Sequence, residues 1–135
     1  SGHIEGDTRE MYQSLGGDGF FAAVDPDDSN YAYLTTQNGG LNVTLDGGLS
    51  LSSVSSGAAD VMFANYFTMN ETNAEHVMTG GSNIVETLQG RTTNNWTEVF
   101  TLGTSDTGGL RQMSTIHLRD EAAYVGFCGV CDILN

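Results

Sequence analysis

The densest set of oxygen ligands in the sequence is Asp25-Pro26-Asp27-Asp28-Ser29-Asn30, where Asp25, Asp27, Asp28 and Asn30 all carry groups that bind hard cations. Calcium takes about six to eight such oxygens, so calcium is the one cofactor this run could hold; none other is expected. The run lacks the sixth-position Gly and twelfth-position Glu of an EF-hand loop. The competing and preferred reading is a tight acidic turn whose side chains accept hydrogen bonds from nearby backbone N–H groups. Cys128-Gly129-Val130-Cys131 admits four readings: a small disulfide loop, half a zinc site, a redox pair, or two free thiols. Zinc would need two more ligands, and His3, His76 and His117 show no paired spacing. A redox pair belongs at a helix start in a βαβ setting, which the surrounding sequence does not suggest. A disulfide between Cys128 and Cys131 is the simplest account in an oxidising compartment, with free thiols next; so short a loop gains local rigidity and little chain entropy.

Asp18, flanked by glycines in Gly16-Gly17-Asp18-Gly19, and Trp96 are the candidate ligand-binding residues. Trp96 and the tyrosines could stack on sugar rings, although most fall in β-rich stretches where packing between elements is the default. Asn42-Val43-Thr44, Asn70-Glu71-Thr72 and Asn95-Trp96-Thr97 fit the N-glycosylation pattern, a frequent chance match. No nucleophile, acid and base stand at a motif spacing, so no catalytic residue is assigned.

The elements that would carry these residues are short strands. Of 135 residues 18 are Gly and one is Pro, so turns must be punctuated by Gly, Asn and Asp. Length allows one domain or part of one. Seventeen acidic residues face four arginines and no lysine, for a net charge of −13. That balance repels phosphate backbones and anionic lipid, which excludes nucleic acid and membrane surfaces as partners and favours a solubilised, extracellular or cell-surface protein. No apolar run approaches the roughly 20 residues of a membrane span. Ser1–Gly6 resembles the junction left by a cleavable histidine tag, with Asp7 where an arginine is expected, so His3 is given no functional weight.

Self-similarity organises the rest. Phe21-Ala22-Ala23-Val24-Asp25-Pro26 is echoed by Tyr66-Phe67-Thr68-Met69-Asn70-Glu71, and Thr44-Leu45-Asp46-Gly47 by Thr87-Leu88-Gln89-Gly90. A period of about 43 residues is one four-stranded propeller blade. The pattern predicts strands over Phe20–Val24, Tyr31–Thr36, Leu41–Thr44 and Leu49–Ser53, then Phe63–Met69, His76–Thr79, Ile84–Thr87 and Trp96–Thr101. Ser114–Leu118 and Ala123–Phe127 begin a third copy, with a short strand possible in Asp132–Leu134, and Glu10–Leu15 ends a preceding blade. Asn38-Gly39-Gly40 and Asp46-Gly47-Gly48 supply the positive φ angles of tight hairpins. The expected fold is all-β, about three propeller blades of four antiparallel strands. The divisions are 7–19 for the end of a preceding blade, 20–56 for the first blade, 57–110 for the second and 111–135 for the third.

These residues resemble the sialidase-like BNR or Asp-box propellers of secreted bacterial proteins. Thr44, Asp46, Gly48 and Ser50 match the Asp-box, with Leu51 in place of its aromatic. The second copy keeps Thr87, has Gln89 for Asp and Arg91 for Gly, and reaches its aromatic, Trp96, after a two-residue insertion. The resemblance implies that the box is structural, closing the turn between third and fourth strands away from the ligand face. It also implies that a sialidase centre would need an arginine triad, a tyrosine–glutamate pair and an aspartate acid. Arg9, Arg91, Arg111 and Arg119 fit no such triad; Arg91 and Arg119 are expected in exposed turns.

The leading expectation is thus a non-catalytic propeller segment that recognises a carbohydrate or protein ligand through loops on one face. The alternatives are part of a glycoside hydrolase completed by other blades, and a scaffold without a small ligand. A sheet blade buries both faces, so missing neighbours must be supplied, either by further chain or by a second copy. The second case is a head-to-tail homodimer in which Glu10–Leu15 completes the partner's last blade.

Overall fold

The computed structural model describes the backbone of residues 2–5, 10–13 and 16–129, and the side chains of residues 16–129. Gly19–Val24 (β3), Ala32–Thr36 (β4), Leu41–Thr44 (β5) and Ser52–Ser53 (β6) form one four-stranded antiparallel sheet. Phe67–Met69 (β7), Val77–Gly80 (β8), Asn83–Thr87 (β9) and Thr97–Thr101 (β10) form a second in the same sequential order. Two half-sheets flank them in sequence: Gly2–Glu5 (β1) with Glu10–Gln13 (β2), and Gln112–Arg119 (β11) with Ala122–Cys128 (β12). A 3-10 turn at Gln37–Gly39 is the only helical element among the described residues. The molecule is all-β, built as successive four-stranded blades.

The turns follow from residue type. Asn38 and Gly39 take φ of 58° and 70° between β4 and β5, and Gly47 and Gly48 take 72° and 92° between β5 and β6, a region that Gly enters freely and Asn more readily than other residues. Alternation then sorts the faces. On β4 and β5, Tyr33, Leu41 and Val43, with Tyr31 just before β4, are buried on one side and meet Phe67, Met69 and Val77 of the second blade. The opposite face of that second blade presents Met78 and Ile84 to Met113, Ile116 and Leu118. A blade with neighbours on both sides buries consecutive residues, which is why β7 and β8 are buried throughout. Each large apolar side chain sunk in these two seams contributes about 1.5–3 kcal/mol.

The repeat is visible in the hydrogen bonds as well as the strands. Asp25 N–H donates to Tyr31 O (3.0 Å) and Asn70 N–H to His76 O (2.9 Å); Gly47 N–H donates to Asn30 O (3.0 Å) and Gly90 N–H to Glu75 O (2.9 Å). These bonds hold the β3–β4 and β5–β6 turns of one blade at the same end, and likewise the β7–β8 and β9–β10 turns of the next. The other end carries the β4–β5 and β8–β9 turns and the entries to β3 and β7. There Asn38 N–H donates to Phe63 O (2.9 Å), and Asp18 N–H to the side chain of Gln37 (3.0 Å).

Several boundaries differ from expectation, each for a local reason. Leu49–Ser53 is a strand only at Ser52–Ser53, since Ser50 is still engaged in the preceding turn and Leu49 is 71% exposed. Phe63–Met69 narrows to Phe67–Met69, because the backbone of Phe63 and Tyr66 is bonded instead to Asn38 and Thr79. Glu10–Gln13 is not a lone strand: it pairs with Gly2–Glu5, inside the stretch that resembles a tag junction. Leu15, Cys131 and the Asp132–Leu134 stretch lie outside the described residues.

Candidate functional site

At the end formed by the β3–β4, β5–β6, β7–β8 and β9–β10 turns, the carboxylates of Asp25, Asp28 and Glu75 are already occupied. Asp25 accepts from Asp27 N–H (2.9 Å) and Asp28 from Asn30 N–H (3.1 Å). The outward oxygens are taken by Arg91, which reaches Asp25 (3.1 Å), Asp28 (2.9 Å) and Glu75 (2.7 Å) while its guanidinium lies 4.2 Å from the ring centre of Tyr31. The Arg91 bond, helped by Asn30 N–H, holds the Asp28 carboxyl below the usual carboxylate range. The anticipated calcium ligands Asp25, Asp27, Asp28 and Asn30 are therefore a turn braced by an arginine. Asp27 and Asn30 serve it through backbone N–H groups. Among the described residues no three His, Cys, Asp or Glu side chains are placed to hold a metal ion.

Arg91 is half-exposed, as a turn residue should be, yet it ties the second blade to the first. A lone arginine where an Asp-box has glycine, with an unexplained acidic run in the preceding blade, is the signal that could have found this clamp. His76, which shows no paired spacing in the sequence, has its Nε2 2.7 Å from Glu86 of β9.

The two copies of the box turn differ. In the first, Asp46 accepts from Thr44 Oγ1 (2.8 Å), Ser50 N–H (2.9 Å) and Ser50 Oγ, while Gly48 N–H donates to Thr44 Oγ1 (2.8 Å). The Ser50 hydroxyl, followed by Ser50 N–H and the Thr44 hydroxyl, pulls the Asp46 carboxyl down to about 2. In the second, Gln89 N–H still donates to Thr87 Oγ1 (3.0 Å), but Thr92 closes the turn on the Gln89 carbonyl through its N–H (2.9 Å) and hydroxyl (2.8 Å). Trp96 then packs edge-on against Tyr33, ring centres 6.4 Å apart, in the seam between blades. Its Nε1 is buried without a partner.

The opposite end holds a cavity of its own. A cavity of about 220 Å³ lies between Gly16, Gly17, Phe20, Phe21, Leu34 and Thr36. Phe20 meets Phe63 edge-to-face at 5.5 Å, and Phe21 stacks on Tyr66 at 4.1 Å, giving an aromatic step beside the cavity. Asp18 is exposed on the glycine-rich loop at its rim. Asp18 and Trp96, paired as candidate ligand residues, thus stand at opposite ends of the blades and cannot share one site. Of the aromatics, Tyr31 and Tyr33 are wholly buried and unavailable for stacking on a ligand. Cys128 ends β12 and is disulfide-bonded; Cys131 lies outside the described residues.

No protein-family model matches the sequence, and no curated protein matches it significantly. Two solved structures are similar. One is an ancestral GH74 enzyme, with a TM-score of 0.56 and 18% identity over 80% of this chain and 16% of that one. The other is YCF48 from Cyanidioschyzon merolae, with a TM-score of 0.51 and 17% identity over 82% of this chain and 32% of that one. Both are β-propeller proteins. At such identities the likeness is one of fold, and it establishes the class: the chain consists of β-propeller blades. It spans only those fractions of the two proteins it resembles.

Proposed function

We propose that the chain is a non-catalytic segment of a secreted or surface-exposed, sialidase-like Asp-box propeller that recognises a carbohydrate or protein ligand through loops at one end. The observation that carries this reading is the aromatic step of Phe20 and Phe63 beside an open cavity, at the end opposite the self-closed turns. Phe63 is 57% exposed, and an accessible aromatic edge beside a cavity suits the apolar face of a ligand. Asp18 adds an unshared carboxylate at the rim, which suits hydroxyl donors. The closed turn at Thr44, Asp46, Gly48 and Ser50 supports the Asp-box assignment, and the charge of −13 supports export.

A glycan array read with the parent chain and with Phe63→Ala and Asp18→Ala tests it. Binding that both substitutions abolish is the expected result. An array blank for the parent, with a protein retained on the immobilised chain, would move the ligand from carbohydrate to protein. A second reading, that the chain is part of a glycoside hydrolase, is favoured by the likeness to the ancestral GH74 enzyme. Turnover of an aryl-glycoside by the chain would establish it in place of the first.

A further inference from the structure

The second box turn holds a site of its own. Three changes separate it from the first: the carboxylate position has become Gln89, the following Gly position has become Arg91, and two residues have been inserted before the aromatic, bringing Asn94 and Asn95. In the first turn both oxygens of Asp46 are spent on Thr44 and Ser50. In the second, closure has passed to the Gln89 main-chain carbonyl and Thr92, so the Gln89 side chain is released from its own turn. It accepts instead from Asn95 Nδ2 at 2.6 Å. The Gln89 amide donors, the Asn95 carbonyl and the whole Asn94 amide have no partner among the described residues. These groups open onto a cavity of about 440 Å³, also walled by Glu86, Leu88 and Trp96.

We infer that this cavity binds a neutral saccharide. Uncharged donors and acceptors interleaved along one wall match hydroxyl groups, each of which both donates and accepts. Leu88, 62% exposed, and the indole of Trp96 offer apolar surface to the C–H faces of a sugar ring. Charged ligands fit poorly. The nearby cation, Arg91, is committed to three carboxylates, and the one carboxylate of the wall, Glu86, already shares an oxygen with His76. The site stands at the opposite end of the blades from the aromatic step and goes beyond the function proposed above.

The test is titration of the isotope-labelled chain with a panel of neutral mono- and oligosaccharides at millimolar concentration, read by NMR. Saturable shifts of the Asn94, Asn95 and Gln89 side-chain amides are expected for at least one sugar. Gln89→Leu should weaken that binding by roughly five- to tenfold while leaving other resonances in place, the size of a lost uncharged hydrogen bond. Asn94→Ala, on the exposed loop, provides a second variant with the same expectation. Shifts confined to residues around Phe20 and Phe63 would overturn this site and leave the first reading standing. Shifts at Asn94 and Asn95 with none around Phe63 would support this site and leave only a protein ligand for the first, and no shift at Asn94, Asn95 and Gln89 would refute this site.

Discussion

Asp46 keeps its carboxylate against two hydroxyls and a backbone N–H, so its folded state favours the charged form and its carboxyl titrates near about 2. A depressed carboxylate contributes stability that is fully present above its unfolded value near 3.8 and is lost as pH falls through the folded one. Asp46→Ala should therefore lower the melting temperature by the same amount at pH 7 and pH 5. The gap between variant and parent should close as pH is taken from about 4 to 2, whatever other carboxyls do in both proteins. Thermal melts across that range check it; a gap that persists at pH 2 would mean Asp46 acts by packing alone.

Between elements, the seam joining the first two blades is held by aromatic side chains that also carry hydrogen bonds across it. Tyr31 OH donates to Ala74 O (3.1 Å) and Tyr33 OH to Gly90 O, from strand β4 to the turns of the next blade. Burial, the main cause, pushes both phenols well above the ordinary tyrosine range, so each stays a neutral donor. Tyr33→Phe keeps the packing and removes one buried donor, and should cost about 1–3 kcal/mol in denaturant unfolding. A neutral result would show that the Gly90 carbonyl finds another partner. The strand pattern and hairpin turns that place these tyrosines were legible from residue types, since alternation and positive-φ glycines act locally. That Tyr33 would reach Gly90, 57 residues on, was not, because the partner is a backbone atom with no sequence mark.

As a whole molecule, two complete blades lie in sequence between two half-blades, β1–β2 and β11–β12. The outer face of the first blade leaves Val24 54% exposed, and Tyr124 on β12 is 66% exposed. In a propeller such faces are covered by neighbouring blades. A head-to-tail dimer remains our proposal for the chain on its own, amended from a single strand to the β1–β2 pair: two strands from one copy and two from the other would complete a four-stranded blade. Light scattering should then give twice 14.3 kDa. A stable monomer of 14.3 kDa would dismiss the two-chain ring.

By itself the sequence determined the blades: a period of about 43 residues, glycine-marked hairpins and alternating apolar positions are all short-range features, and short-range sterics and burial enforce them. It also marked the turn closed by Thr44, Asp46 and Ser50, whose bonds span no more than four residues. Only the tertiary structure decided that the acidic run at Asp25–Asp28 faces Arg91, and that Asp18 and Trp96 stand at opposite ends. It alone showed that the Gln89 side chain is released from its own turn. Each of these depends on which blade face meets which, and that is set by packing between segments a full repeat apart.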